Sequence, residues 1–291
     1  MKIHYNDMKN IINLACQENK RISELIIKDT ADDIEKTEEE VFKMMEENWF
    51  IMKKSIENGL NNQDKSLSGL TGDMAKTFKN YYDNKESISG SFFGEIIYSA
   101  LAVAEENATM GRIVSCPTAG SCGIMPGVLI ALQNKYSIDD KKIVFGLFNA
   151  AAIGKVISKK ASVAGAVGGC QVECGTALAM AASALVEIMG GSPEMCGHAA
   201  AQALKSIMGL ICDPVAGLVE EPCIIRNATL AGLAPICADL ALSGIKSIIP
   251  IDEVIIAMND VSNMMPYQLK ETALGGIATS ATAKEIEKKL Q

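Results

Sequence analysis

Of the nine cysteines in this chain, three sit among glycines and prolines. They are Cys170 in Gly168-Gly169-Cys170-Gln171, Cys212 in Gly209-Leu210-Ile211-Cys212-Asp213-Pro214, and Cys223 in Glu221-Pro222-Cys223-Ile224-Ile225-Arg226-Asn227. Each segment reads as a loop. No two cysteines form a CxxC pair, which argues against a zinc ribbon or a thioredoxin-type redox motif. Three thiolates gathered only by folding can hold an iron–sulfur cluster with one iron free of cysteine. Such an iron can act as a Lewis acid. Cys174 would share a helix face with Cys170 if that helix starts early, either as a fourth ligand or as a buried thiol. Cys16, Cys196 and Cys237 lie in apolar helical text and read as small core hydrophobes.

A second segment, Pro117-Thr118-Ala119-Gly120-Ser121-Cys122-Gly123, precedes the apolar run Ile124 to Leu132. Small residues at a helix start leave backbone N–H groups free, and with the helix dipole these hold anions. A carboxylate is the expected guest, with Thr118, Gly120, Ser121 and Gly123 around it. The alternative is an ordinary capped turn. No lysine follows, so this is not a GxxxxGK[ST] phosphate loop. Gly165-Ala166-Val167-Gly168-Gly169-Cys170 lacks the GxGxxG spacing of a dinucleotide site, but its glycines would let backbone approach a bulky cofactor. Arg226 and Asn227 are placed to contact a cluster or a substrate carboxylate, or simply to start a helix. The two histidines, His4 and His198, sit in no catalytic arrangement, and His198 reads as a core or surface residue of an alanine-rich helix. No PLP cofactor is expected, because Lys155, Lys159 and Lys160 lie on a helix without a phosphate cradle.

The elements that must position these residues are helical. The fold class expected is mostly α, a bundle-like catalytic domain with glycine-rich loops around a cluster site and little or no β. At 48% hydrophobic and 21% charged, 291 residues bury a large core. Aromatics are only 5%, so that core is built from small and flexible side chains. Thr37-Glu38-Glu39-Glu40 is a capping box, and Val41, Met44, Met45, Trp49 and Met52 follow at helical spacing. Asn58-Gly59 is the expected stop. A polar link, residues 61–66, leads into the glycine-rich Ser68-Gly69-Leu70-Thr71-Gly72-Asp73, and Ser89-Gly90-Ser91 precedes a helix from Phe92 to Asn107. Past about residue 110 the text turns alanine- and glycine-rich. Helices are expected from the Ser137-to-Asp140 cap to Lys160, from Thr176 to Met189, from Ser192-Pro193 to Met208, from Asn227 to Leu242, from Asp252 to Met264, and from Thr282 to Leu290. Arg112-Ile113-Val114 is the best strand candidate. The chain reads as one domain over 1–291, with a more polar helical part at 1–66 and a cluster- and substrate-binding part at 67–280.

A net charge of −8 argues against nucleic acid or an anionic membrane as main partner. Nine cysteines and no secretory signal at the start point to a reducing cytoplasm. No stretch reaches the roughly 18–20 uncharged apolar residues of a membrane helix; the longest candidate is Ile143 to Gly154.

Taken together the motifs resemble the α chain of the iron–sulfur-dependent bacterial L-serine dehydratases, also called L-serine deaminases, over nearly the whole chain. The resemblance is carried by Glu105-Glu106-Asn107-Ala108 with Gly111-Arg112, by Pro117-Thr118-Ala119-Gly120, by Gly168-Gly169-Cys170-Gln171, by Cys212-Asp213-Pro214-Val215-Ala216-Gly217 and by Pro222-Cys223-Ile224-Ile225-Arg226-Asn227. The segment Leu67 to Asp73 adds to it. The resemblance implies a lyase that turns L-serine into pyruvate and ammonia without PLP, in amino-acid catabolism or gluconeogenesis. It implies a 4Fe–4S cluster held by Cys170, Cys212 and Cys223, and a separate β chain as partner. Fused relatives carry a Ser-Ser-His-Thr segment in their β part, a home for the catalytic base. Nothing like it occurs here, so the base is expected on the β chain, with Asp73 and Asp213 as supporting groups only. Some fused relatives end in a tail with a cysteine able to reach the open iron; this chain ends Glu287-Lys288-Lys289-Leu290-Gln291, so such self-capping is not expected. Two other readings are an L-cysteine desulfidase with the same cluster and a non-catalytic helical assembly protein.

Overall fold

A computed structural model describes residues 6–62, 64–85 and 87–290. His4 and Gln63 of the polar link lie outside the described residues. The polar first part folds as α1 (Met8–Glu18), α2 (Ile22–Asp33), α3 (Glu38–Asn61), α4 (Met74–Asn84) and α5 (Gly90–Ala108). The capping box forms as read: Thr37 Oγ1 accepts from Glu40 N–H, and the Glu40 carboxylate accepts from Thr37 N–H. The expected stop at Gly59 does not occur, and α3 runs on to Asn61. Gly59 serves close approach instead, since a Cβ there would run into the Ala102 carbonyl of α5.

The second part continues with α6 (Ile124–Tyr136), α7 (Asp140–Lys160), the single turn α8 (Gly165–Gly168), α9 (Cys170–Ile188), α10 (Pro193–Ser206), α11 (Cys223–Leu242), α12 (Ile251–Met264) and α13 (Ala281–Leu290). Asp139 and Ser192 cap α7 and α10 through Lys142 N–H and Met195 N–H. Helix α10 ends at Ser206 rather than Met208. Arg112-Ile113-Val114 forms no strand; among the described residues the only bridge joins Cys212 to Lys270. The mostly α expectation therefore holds.

The organising element is α9. All its residues except Glu173 are buried, the pattern of a helix apolar on every side. It packs against α6, α7, α10 and α11, and one hydrophobic cluster runs from Met8 to Met258. Two boundaries differ from the sequence reading in a way that matters. Helix α9 begins at Cys170, not Thr176, and α11 begins at Cys223, not Asn227. Helix α11 is long and apolar enough to cross a membrane by length and composition, although Arg226 and Asp239 interrupt it, and 56% of its most apolar window is buried against the other helices.

Candidate metal and substrate site

The cysteines are placed by two helix starts and one bridged loop, not by three loops. Gly169 joins α8 to α9 at a φ of 80°, a region glycine enters without strain. This turn sets Cys170 as the first residue of α9. Gln171 then anchors the Cys212 loop to the same helix end: its N–H donates to the Leu210 carbonyl (2.9 Å), and its Oε1 accepts from Gly209 N–H (2.8 Å). Cys212 is held by the bridge, with its N–H to the Leu269 carbonyl (2.9 Å) and its carbonyl taking Glu271 N–H (2.7 Å). Cys223 opens α11 directly after Pro222. The first turns of α9 and α11 carry partial positive charge, which favours thiolates there.

Cys170 Sγ, a Glu173 carboxylate oxygen and Cys212 Sγ all lie within 4.8 Å of one another, a group that could hold a metal ion. All three cysteine side chains are buried and none is in a disulfide. The Cys174 and Cys212 thiols donate toward Cys170, and the Arg226 guanidinium lies 3.5 Å from its sulfur. These partners hold Cys170 well below the usual thiol range. Their hydrogen bonds to Cys170 in turn push Cys174 and Cys212 up, with burial and the Cys170 charge adding to this. Burial pushes up Cys223, with the Cys170 charge adding to it, so Cys223 belongs to the same electrostatic cluster. Cys174 lies one turn beyond Cys170 and is buried against it.

Arg226 is fixed on three sides. Besides Cys170 it donates to the Ile211 carbonyl (3.1 Å) and to Asp213 Oδ1 (2.8 Å). The other Asp213 oxygen accepts from Ile277 N–H (2.8 Å). Asp213 is thus a buried brace for Arg226. Asp73 is exposed at the start of α4 and makes no cap hydrogen bond there.

The Thr118 segment folds into a short 3-10 turn, Ala119–Ser121, beside the cysteines. Thr118 Oγ1 donates to Glu173 Oε1 (2.5 Å) and accepts from the Ser121 hydroxyl (3.0 Å). Asn227 clamps this turn to α11. Its Nδ2 donates to the carbonyls of Gly120 (2.8 Å) and Cys223 (2.9 Å), and its Oδ1 accepts from Gly123 N–H (2.9 Å). The structure therefore uses the Gly123 amide and the Asn227 side chain internally, while Thr118 and Gly120 border Glu173, Ser121 borders Thr118, and Arg226 reaches Cys170.

Two carboxylates escaped the sequence reading. Burial pushes Glu173 up to about 7, against the hydrogen bond from Thr118 and reinforced by the charges of Cys170 and Glu271. Burial also raises Glu271, and the Cys170 charge adds to it. Glu173 was findable: once α9 starts at Cys170, residues three and four further on share its face. Glu271 had no local signal, because only the bridge to Cys212 brings it in.

The family profile described as "Serine dehydratase alpha chain" matches residues 17–278. The chain is 43% identical to the probable L-serine dehydratase alpha chain of Bacillus subtilis, over 98% of this chain and 95% of that protein. It is 42% identical to the L-serine dehydratase alpha chain of Peptoniphilus asaccharolyticus, over 97% of each. With an L-serine dehydratase of Escherichia coli it shares 38% identity over 79% of this chain but only 52% of that longer protein. Its profile match and its near full-length likeness to two α chains place the chain in the serine dehydratase α-chain family.

Proposed function

We propose that this chain works with a separate β chain as an L-serine dehydratase, converting L-serine to pyruvate and ammonia, and that Cys170, Cys212 and Cys223 hold a 4Fe–4S cluster. The observation that carries the reading is the placing of three buried cysteines, none in a disulfide, at two helix starts and one bridged loop, with Arg226 3.5 Å from the Cys170 sulfur, in a chain of this family. The donor set fits: soft thiolates suit iron–sulfur clusters, and the guanidinium and helix ends stabilise their charge. When bound, a cluster with one iron free of cysteine supplies a Lewis acid for the β-hydroxyl of serine.

The chain's own residues do the rest. Arg226, braced by Asp213, holds the Cys170 sulfur in place and adds to the Cys174 and Cys212 thiols in favouring its thiolate. The substrate carboxylate is placed at the Thr118-to-Ser121 turn, where backbone amides are the donors, since the Thr118 and Ser121 hydroxyl protons go to Glu173 and to Thr118. We assign the base that removes the Cα proton to the β chain. His198 supports this assignment: its charged neighbours are Lys246, Glu194 and Lys205, none of which belongs to the cysteine group. The continuous core supports reading the chain as one catalytic domain, and nine free cysteines fit a reducing cytoplasm.

The test is the visible and EPR spectrum of the anaerobically reconstituted chain with its β partner, before and after L-serine. A brown protein with about four irons per chain, perturbed by serine and releasing pyruvate, is the expected outcome. Cys212→Ala should lose both colour and pyruvate release. Retention of both would remove Cys212 from the ligand set. Faster sulfide release from L-cysteine than pyruvate release from serine would favour the desulfidase reading.

A further inference from the structure

L-Serine carries a carboxylate, a hydroxyl and an ammonium group. The seats above take the first two. Glu173 and Glu271 meet over Gly165, on the side of the cysteines facing α8. A methyl group at Gly165 would lie 2.9 Å from Glu173 Oε2, 3.1 Å from Cys212 Sγ and 3.3 Å from Glu271 Oε2. The two carboxylates and the thiol therefore line one cradle, open only because residue 165 has no side chain. Glu173 is held by Thr118 (2.5 Å), the residue that also borders the expected carboxylate seat. Glu271 is fixed by its N–H to the Cys212 carbonyl (2.7 Å) and by the Ala166 N–H on its carboxylate.

Among the described residues neither carboxylate forms an ion pair with a lysine or arginine. The guanidinium of the site, Arg226, is committed to Asp213 and Cys170. Two carboxylates turned into one cradle repel each other, and a cation seated between them offsets that repulsion. We infer that Glu173 and Glu271 form the seat of the substrate's α-ammonium group, and so select α-amino acids over α-hydroxy acids. This rests on the L-serine reading above. An α-hydroxyl brings one donor and no charge, where the ammonium brings its positive charge and further N–H donors, so in this seat a hydroxy acid leaves one carboxylate unpaired and both uncompensated.

The test compares Glu173→Gln, Glu271→Gln and wild type as reconstituted α–β complexes. The readouts are KM for L-serine, inhibition by L-glycerate, which has a hydroxyl in place of the ammonium, and cluster absorbance. Loss of one charged hydrogen bond raises KM about 10–100-fold. Absorbance per chain should stay at the wild-type level, and L-glycerate should inhibit the variants at least as well as wild type. A purely structural role would weaken serine and glycerate alike. Equal weakening overturns the inference, as does an unchanged KM in both variants. Loss of absorbance in Glu173→Gln also overturns it, making Glu173 a cluster ligand. If Glu173→Gln does not fold, the half-buried Glu271→Gln decides, with Gly165→Ala, whose methyl fills the cradle, expected to raise KM as well. A wild-type complex that makes no pyruvate from serine refutes the proposed function instead.

Discussion

Replacing Asp213 by alanine tests how the cysteine site is braced. The Asp213 side chain is 2% exposed and that of its partner Arg226 17%. The substitution strips Arg226 of its 2.8 Å partner and leaves Ile277 N–H without an acceptor. Breaking one side of a buried pair costs about 3–5 kcal/mol, and the lower end is expected here because Arg226 keeps Cys170 and the Ile211 carbonyl as partners. For a chain of this size that lowers Tm by on the order of 10 °C. The assay is urea unfolding followed by fluorescence of Trp49, the single tryptophan, which is buried in the core. The cluster-free chain suffices, because the brace involves protein groups only. A double-mutant cycle with Arg226→Met isolates the pair: the double variant should cost less than the sum of the two single variants. A cost below about 1 kcal/mol for Asp213→Ala, the range of exposed ion pairs, would refute the reasoning.

Other outcomes follow from the same geometry. Gly59→Ala drives a methyl into the Ala102 carbonyl and should cost about 1–3 kcal/mol; an unchanged urea midpoint would mean that α3 and α5 part without strain. Burial alone would raise Asp140, but hydrogen bonds from Lys53, Gln133 and Trp49 outweigh it and hold the carboxyl at about 2. Because the folded value lies below the unfolded one, roughly 3.9, Asp140 adds stability above about pH 4 that is lost as pH falls toward 2. Asp140→Asn should flatten the acid limb of the Trp49 unfolding profile, and identical limbs would contradict this.

The sequence by itself settled the helical class and most helix interiors, because apolar periodicity and caps such as Thr37, Asp139 and Ser192 act within a few residues of chain. It also singled out Cys170, Cys212 and Cys223 from the glycines and prolines around them. Tertiary structure decided what those glycines are for. Gly59 reads locally as a stop, yet it lets α5 approach α3. Cys170 and Cys223 read as loop residues, yet they open α9 and α11, because packing and the hydrogen bonds of Gln171 and Asn227 extend those helices to their first residues. Asn227 reads as a ligand contact or a helix-start residue, and in the fold its side chain ties the Thr118 turn to α11. The meeting of Glu271 with Glu173 lies beyond any local pattern, since it depends on the bridge that lays residues 269–271 alongside Cys212. Helix starts are written in short-range chemistry, whereas a site assembled from five separate segments exists only once the core around α9 has closed.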